Sequence, residues 1–243
     1  MDAKDFATLS AAELGELDAD VLAHLKTTSG MTTAQLKAVK GKVKGMTKAE
    51  LDGFLGHVNP AALKGALGDL GAMDFGATAP DLYQGVKTGL GGPAQFTKSV
   101  LNDLGNLIPE LPAADLQALP SASLAGATQF AAKLKAAQVA SLGAPLQGLT
   151  TADLQEFVGQ VPVTELLDSC KDLASVGAWE PGQKTVLAAR ATAALGDAKD
   201  WAVAEAESLG AFLDAVPAAT PGVRLPPPCV GPRARSGGQE TGK

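Results

Sequence analysis

Hydrophobic positions along the chain recur every three or four residues, the repeat of a single buried helix face. Leu14, Leu17, Val21, Leu22 and Leu25 form one such series. Leu36, Val39 and Val43 form a second, and Leu154, Phe157 and Val158 a third. No run of β-branched residues alternates as a strand would, and Val161 and Val163 flank a proline. Glycines follow many of the helical segments: Gly30, Gly45, Gly56, Gly71, Gly92, Gly143, Gly159, Gly177 and Gly196. A left-handed glycine after the last turn closes a helix, and these nine are expected to do so. The reading is an all-α chain of about twelve short helices over residues 1–216. Beyond Val216 the periodicity stops. Residues 217–243 are rich in proline and glycine and carry net positive charge, which predicts a disordered tail.

One local pattern repeats inside the helical region. An apolar residue precedes Ser, Thr, Asn or Pro. Two variable positions follow, then usually a polar residue and Leu. Leu9-Ser10 to Glu13-Leu14, Met31-Thr32 to Gln35-Leu36, Met46-Thr47 to Glu50-Leu51 and Leu149-Thr150 to Asp153-Leu154 are the sharp copies. Looser ones are Leu111-Pro112 to Asp115-Leu116, Leu119-Pro120 to Ser123-Leu124, and Val161-Pro162 to Glu165-Leu166. Val58-Asn59-Pro60 to Leu63 has Ala62 at the polar position.

The physics is that of a helix start. A hydroxyl at the N-cap accepts from an unpaired backbone N–H, and the side chain three residues later reaches back to the cap's own N–H. The apolar residue before the cap packs on the Leu one turn in. Ser10, Glu13, Thr32, Gln35, Thr47, Glu50, Thr150 and Asp153 are therefore expected to be structural helix-start residues. One copy says little, because such boxes begin helices in every fold class. Eight copies suit short helices stacked as irregular repeats, an α-solenoid. An irregular all-α globule is the alternative.

Composition narrows the function more by exclusion than by choice. Of the 243 residues 46% are apolar and only 4% aromatic, and the apolar part is mostly Ala and Leu, which suits close helix packing. A net charge of −6 argues against general nucleic-acid binding, which rests on basic side chains neutralising phosphates. No stretch approaches the length of a membrane span. The start is acidic and lacks the basic and apolar regions of a secretory signal. Taken as complete, the chain would be cytoplasmic; as a segment of a longer precursor, it could be exported.

Candidate chemistry is sparse. His24 and His57 lie in separate helical segments with no ligand-like partner spacing, so no metal or cofactor is assigned. Cys170 reads as a small buried hydrophobe and Cys229 as a lone thiol, a disulfide requiring the tail to dock back. Ser169 has no histidine nearby, and no acid–base pair suggests an enzyme. Lys37, Lys40, Lys42, Lys44 and Lys48 form the one dense basic run, read as a solvated helix face or a contact for an anionic surface. GLGGPAQ (89–95) lacks the strand before it and the GK[ST] end of a phosphate loop, so it is a connector. Trp179 and Trp201 are expected to be packing anchors, with surface recognition as the alternative.

LGNLIPELPAADLQALPSASL (104–124), SLGAPLQGLTTADLQEFVGQVP (141–162), WEPGQKTVLAARATAALG (179–196) and ESLGAFLDAVP (207–217) resemble the mesothelin, stereocilin and otoancorin family. The shared features are the LG-x-L-(I/L)-x-x-L step into a capped helix, the (L/V)-(S/T/P)-x-x-(D/E)-L start and the Trp-x-x-x-Gln segment. The resemblance is clearest over 104–217. It implies an armadillo-like superhelix in a secreted or surface-attached glycoprotein that serves adhesion, with extracellular matrix or a cell-surface glycoprotein as partner. It implies no catalytic residues. Without it, the same features fit an intracellular helical scaffold that binds partner proteins.

Two substitutions test the helix start at Thr150. Thr150→Ala should lower stability by about 0.5–2 kcal/mol, as a lost cap does. Leu154→Ala should lower it by about 2–5 kcal/mol if it is a core residue. Denaturant unfolding of each variant reads both, and two unchanged midpoints would place the helix start elsewhere.

Overall fold

The computed structural model describes residues 9–18, 21, 30–177, 179–196 and 201–216. Leu22, His24, Leu25, Cys229 and the expected tail 217–243 lie outside the described residues. The described chain is all-α. Its helices are α1 (Ala11–Glu16), α2 (Thr33–Val43), α3 (Lys48–Leu55), α4 (Pro60–Gly71), α5 (Ala79–Gly89), α6 (Lys98–Asp103), α7 (Ala113–Gln117) and α8 (Ser121–Leu124). There follow α9 (Thr128–Ala131), α10 (Ala136–Ser141), α11 (Gly143–Gln147), α12 (Thr151–Gln160), α13 (Val163–Ser175), α14 (Pro181–Leu195) and α15 (Val203–Leu209). Tighter 3-10 segments span Gly76–Thr78, Pro93–Gln95, Gly105–Glu110 and Gly210–Ala215.

The helices are shorter and more numerous than the periodicity suggested. Six of them occupy residues 98–147 alone. The breaks have local causes. Pro112 and Pro120 sit at N-caps, where a helix can start but not continue through. Gly105 and Gly126 take left-handed backbone at φ 54° and 71°.

Of the nine glycines expected to close helices, Gly92, Gly177 and Gly196 are left-handed. Gly56 stays right-handed at φ −62°. Gly143 opens α11, Gly159 lies within α12 and Gly71 ends α4 as a helical residue. Gly71 serves a different need, because a Cβ there would overlap the Asp103 and Leu104 carbonyls. A Cβ on Gly105 would overlap the Gly71 carbonyl in turn. The end of α4 and the turn after α6 thus cross backbone to backbone. Gly85 admits the Leu55 side chain, Gly89 that of Leu63 and Gly143 that of Val176.

Helices pack along two lines. α1, α2, α4, α6, α9, α12 and α14 each contact the next in that order. The second line holds α3 and α5, then the Gly105–Glu110 turn against α5, then α7, α10, α13 and α15. α12 and α14 run the same way. Gln183 near the start of α14 bonds to Leu149, just before α12, and Arg190 further along bonds to Val158. The core threads both lines as one cluster. Leu14, Leu36, Leu51, Leu67, Leu101, Leu116, Phe130, Leu154, Leu166 and Leu187 are all fully buried in it. Each apolar residue before a sharp copy's N-cap packs against this core, from Leu9 and Met31 to Met46 and Leu149.

The glycine crossing yields a paired test. Gly105→Ala combines a left-handed β-carbon, about 1–2 kcal/mol, with a backbone overlap, so a large fall in melting temperature is expected. Gly53→Ala, on an exposed helix position with open space around its Cβ, should instead raise stability by about 0.4–1 kcal/mol. Calorimetry of the two variants reads the opposite signs.

Candidate functional site

The polar groups converge at the helix starts. Ser10 Oγ accepts from the Glu13 N–H at 3.3 Å, and the Glu13 carboxylate accepts from the Ser10 N–H at 2.8 Å. These bonds hold the Glu13 carboxyl below the usual range, the backbone bond contributing most. Thr32 and Gln35 make the same pair, the Gln35 Oε1 accepting from the Thr32 N–H at 2.8 Å. At α3 the Glu50 carboxylate accepts from the Thr47 N–H at 2.6 Å. At α12 the geometry differs. Thr150 Oγ1 accepts from the Asp153 N–H at 3.1 Å, but the Asp153 carboxylate takes the Thr150 hydroxyl at 2.6 Å. Glu13 and Gln35 also accept from their cap hydroxyls, at 2.8 and 3.1 Å, but aspartate is one methylene shorter and its carboxylate stops at the hydroxyl without taking the cap N–H.

A second role of this position was not legible in the repeated pattern. Where it is glutamine, the third helical residue also bonds across to a backbone carbonyl in or beside an earlier helix. Gln35 Nε2 donates to the Leu9 carbonyl at 2.8 Å. Gln138 Nε2 donates to Ile108 at 2.7 Å while its Oε1 accepts from the Lys135 N–H at 3.2 Å. Gln183 Nε2 donates to Leu149 at 2.8 Å and to Gln147 at 3.0 Å, and its Oε1 accepts from the Glu180 N–H at 3.1 Å. An amide alone has both the acceptor for its own cap and the donor for a neighbour's carbonyl. All three glutamines are buried. The signal that finds Gln138 and Gln183 is an apolar residue four before glutamine, as in Leu134 and Trp179, whatever the cap.

Proline at the N-cap changes the partner again. Proline has no N–H to offer, so the third residue is released toward the neighbouring helix. After Pro120, Ser123 Oγ donates to the Phe96 carbonyl at 2.7 Å. After Pro162, the Glu165 carboxylate accepts from the Ala136 N–H at 2.8 Å and from Lys135 at 3.4 Å. After Pro112, the buried Asp115 accepts from the Tyr83 hydroxyl at 2.9 Å and from Lys87 Nζ at 2.7 and 2.8 Å. Burial and the Asp115 carboxylate raise the Tyr83 hydroxyl's pKa, so it remains a donor at neutral pH.

The other candidate groups are placed as follows. Lys37 and Lys40 both pair with Asp69, at 2.8 and 2.9 Å, and hold its carboxyl below the usual range. Lys48 pairs with Asp52 at 3.1 Å. The basic run is therefore partly neutralised within the chain. His57 is exposed, with Nδ1 2.8 Å from the Gly53 carbonyl. Cys170 is buried and its thiol is pushed up to about 12 by that burial, so it is not a thiolate nucleophile at neutral pH. Ser169 donates to the Leu166 carbonyl at 2.7 Å. Trp179 is buried, donates to the Leu173 carbonyl at 2.9 Å and meets the Phe212 ring edge-on at 5.8 Å. Trp201 is half-buried and donates to the Gly196 carbonyl at 3.2 Å. Residues 89–95 connect α5 to α6 through left-handed Gly91 and Gly92.

Among the described residues, no group of three His, Cys, Asp or Glu is close enough to hold a metal ion. No described helix is long and apolar enough to cross a membrane. A shallow groove of about 440 Å³ lies between α12 and α14, walled by Val158, Val186, Ala189 and Ala193. Arg190 at its edge donates to the carbonyls of Val158, Gly159 and Val161 at 3.0–3.3 Å, capping the end of α12. Comparison with family models and with curated proteins finds no match to this chain.

The clasp can be tested with an isosteric change. Gln138→Glu leaves the Ile108 carbonyl without its donor and buries a carboxylate, so stability should fall by about 1–3 kcal/mol at pH 7. Burial and the facing carbonyl raise the new carboxyl's folded-state pKa above its unfolded value near 4.3. The folded state then binds the extra proton, so the deficit should shrink as pH falls toward that unfolded value. Denaturant unfolding at pH 7 and pH 5 reads the sign.

Proposed function

We propose that this chain is a non-enzymatic binding segment of a cell-surface or extracellular adhesion protein. In this reading it attaches cells to matrix or to a glycoprotein partner, and its two lines of helices form an armadillo-like superhelix. The observation that carries the reading is how its polar groups are used. The buried polar side chains at the helix starts bond to backbone or to one another, which makes them positioning groups for a surface. A stack of short helices offers a broad lateral face, and recognition on such a face rests on shape and on a few well-packed side chains. The resemblance of residues 104–217 to the mesothelin, stereocilin and otoancorin family supplies the adhesive role.

An antibody raised against residues 104–217 tests the location this reading requires. Staining of intact, unpermeabilised source cells or of their surrounding matrix is expected. A diffuse cytosolic pattern, seen only after permeabilisation, would overturn it and favour the intracellular scaffold.

A further inference from the structure

The described residues leave the groove between α12 and α14 open. Of its apolar wall, Ala189 and Ala193 are exposed and Val186 is half-buried. From Val186 to Ala193 this edge runs about 10 Å along the helix. A volume of about 440 Å³ is that of a ligand cleft. The rim offers donors. Arg190 commits Nε and Nη2 to carbonyls at the end of α12, and its Nη1 makes no hydrogen bond among the described residues. Gln155 adds an exposed amide on the α12 side. An occupant that fits is narrow, apolar and rich in unpaired carbonyls.

The chain itself supplies a segment of that kind. Described residues end at Val216, directly after Gly210–Ala215, which packs on α14. Beyond it the densest apolar stretch is VRLPPPCV, Val223 to Val230. Leu225 lies nine residues past Val216, a reach of up to about 30 Å. α14 is about 22 Å long and about 10–12 Å across, so its groove side is within that reach. Pro226, Pro227 and Pro228 have no N–H to offer, and a residue before proline is held to extended backbone.

We propose that Leu225–Pro228 of the same chain dock in the α12–α14 groove as a polyproline II turn, so that the segment 217–243 straps back over α14. Residues three apart in that conformation share a face and lie about 9 Å apart. Leu225 and Pro228 therefore match the apolar edge from Val186 to Ala193. The proline carbonyls take Arg190 Nη1 and the Gln155 amide as donors. Prolines preset the bound form, and the tether raises the local concentration, so docking costs little entropy. The proposal is independent of the adhesive reading, because the occupant belongs to the chain.

Photo-crosslinking of the full chain from Cys229, the residue after Pro228, is the test. Benzophenone maleimide labels an accessible thiol. Cys170 is buried, with its thiol pushed up to about 12, so it is spared, and C229S controls for it. Mass spectrometry should find crosslinks within one chain to residues 151–160 and 181–195, in a yield that ignores protein concentration. L225D/P228D should lose them, and so should A189R from the groove's side. The first pair lies outside the described helices and Ala189 is exposed, and circular dichroism melts check that each variant keeps its fold. Absent crosslinks, or crosslinks spread over other helices, would overturn the proposal. So would crosslinks that survive both variants, which report the tether alone. Crosslinks between chains that rise with concentration would overturn it too and give the groove to a second copy.

Discussion

A helix of four to fifteen residues leaves a large share of its backbone groups unpaired, because the first four N–H groups have no intrahelical acceptor. Such helices are marginal alone. At many of its helices the chain meets this constraint with the third residue. Glu13 and Glu50 return to their own caps. Gln35, Gln138 and Gln183 do so and also hold a carbonyl of an earlier helix. Asp115, Ser123 and Glu165, behind prolines, are committed to the neighbour. The bonds that start a helix are thereby the bonds that stack it.

This arrangement gives the contacts a narrow range. Apart from the bonds of the two tryptophans, the side-chain hydrogen bonds described between separate helices span 26 to 36 residues. Each helix is stabilised by its neighbours along the stack, both within its line and, as where α13 meets α14, across to the other, so stability is distributed rather than centred. The core follows the same rule, since its leucines line both rows of helices as one continuous cluster. Small residues set the spacing. Gly65 meets Thr33 and Gly182 meets Thr151, each where a following helix crosses the first turn of the one before it.

The same organisation bears on function. Bonds that satisfy helix ends occupy the polar side chains with structural work. Tyr83, Lys87 and Asp115 illustrate the point. In isolation they resemble a proton-transfer cluster. In the structure Asp115 is buried and receives both donors, so the group ties α5 to α7.

Much of the local structure was legible in the sequence. The apolar period gave the helical class, and residues such as Thr32, Thr47 and Thr150 mark helix starts because capping is decided within four residues. The glycines read less well. Gly71 and Gly105 look alike on paper, and only the crossing of two distant segments shows that one needs space and the other both space and a positive φ. Gln138 and Gln183 escaped the pattern because their caps, Lys135 and Glu180, lack a short hydroxyl. Their second bonds reach carbonyls about thirty residues away, which no local window contains. The sequence by itself determined where helices begin and which face of each is apolar, since both follow from neighbours along the chain. Only the tertiary structure decided which helix lies against which, because that choice depends on carbonyls, glycine surfaces and charges brought together from separate repeats.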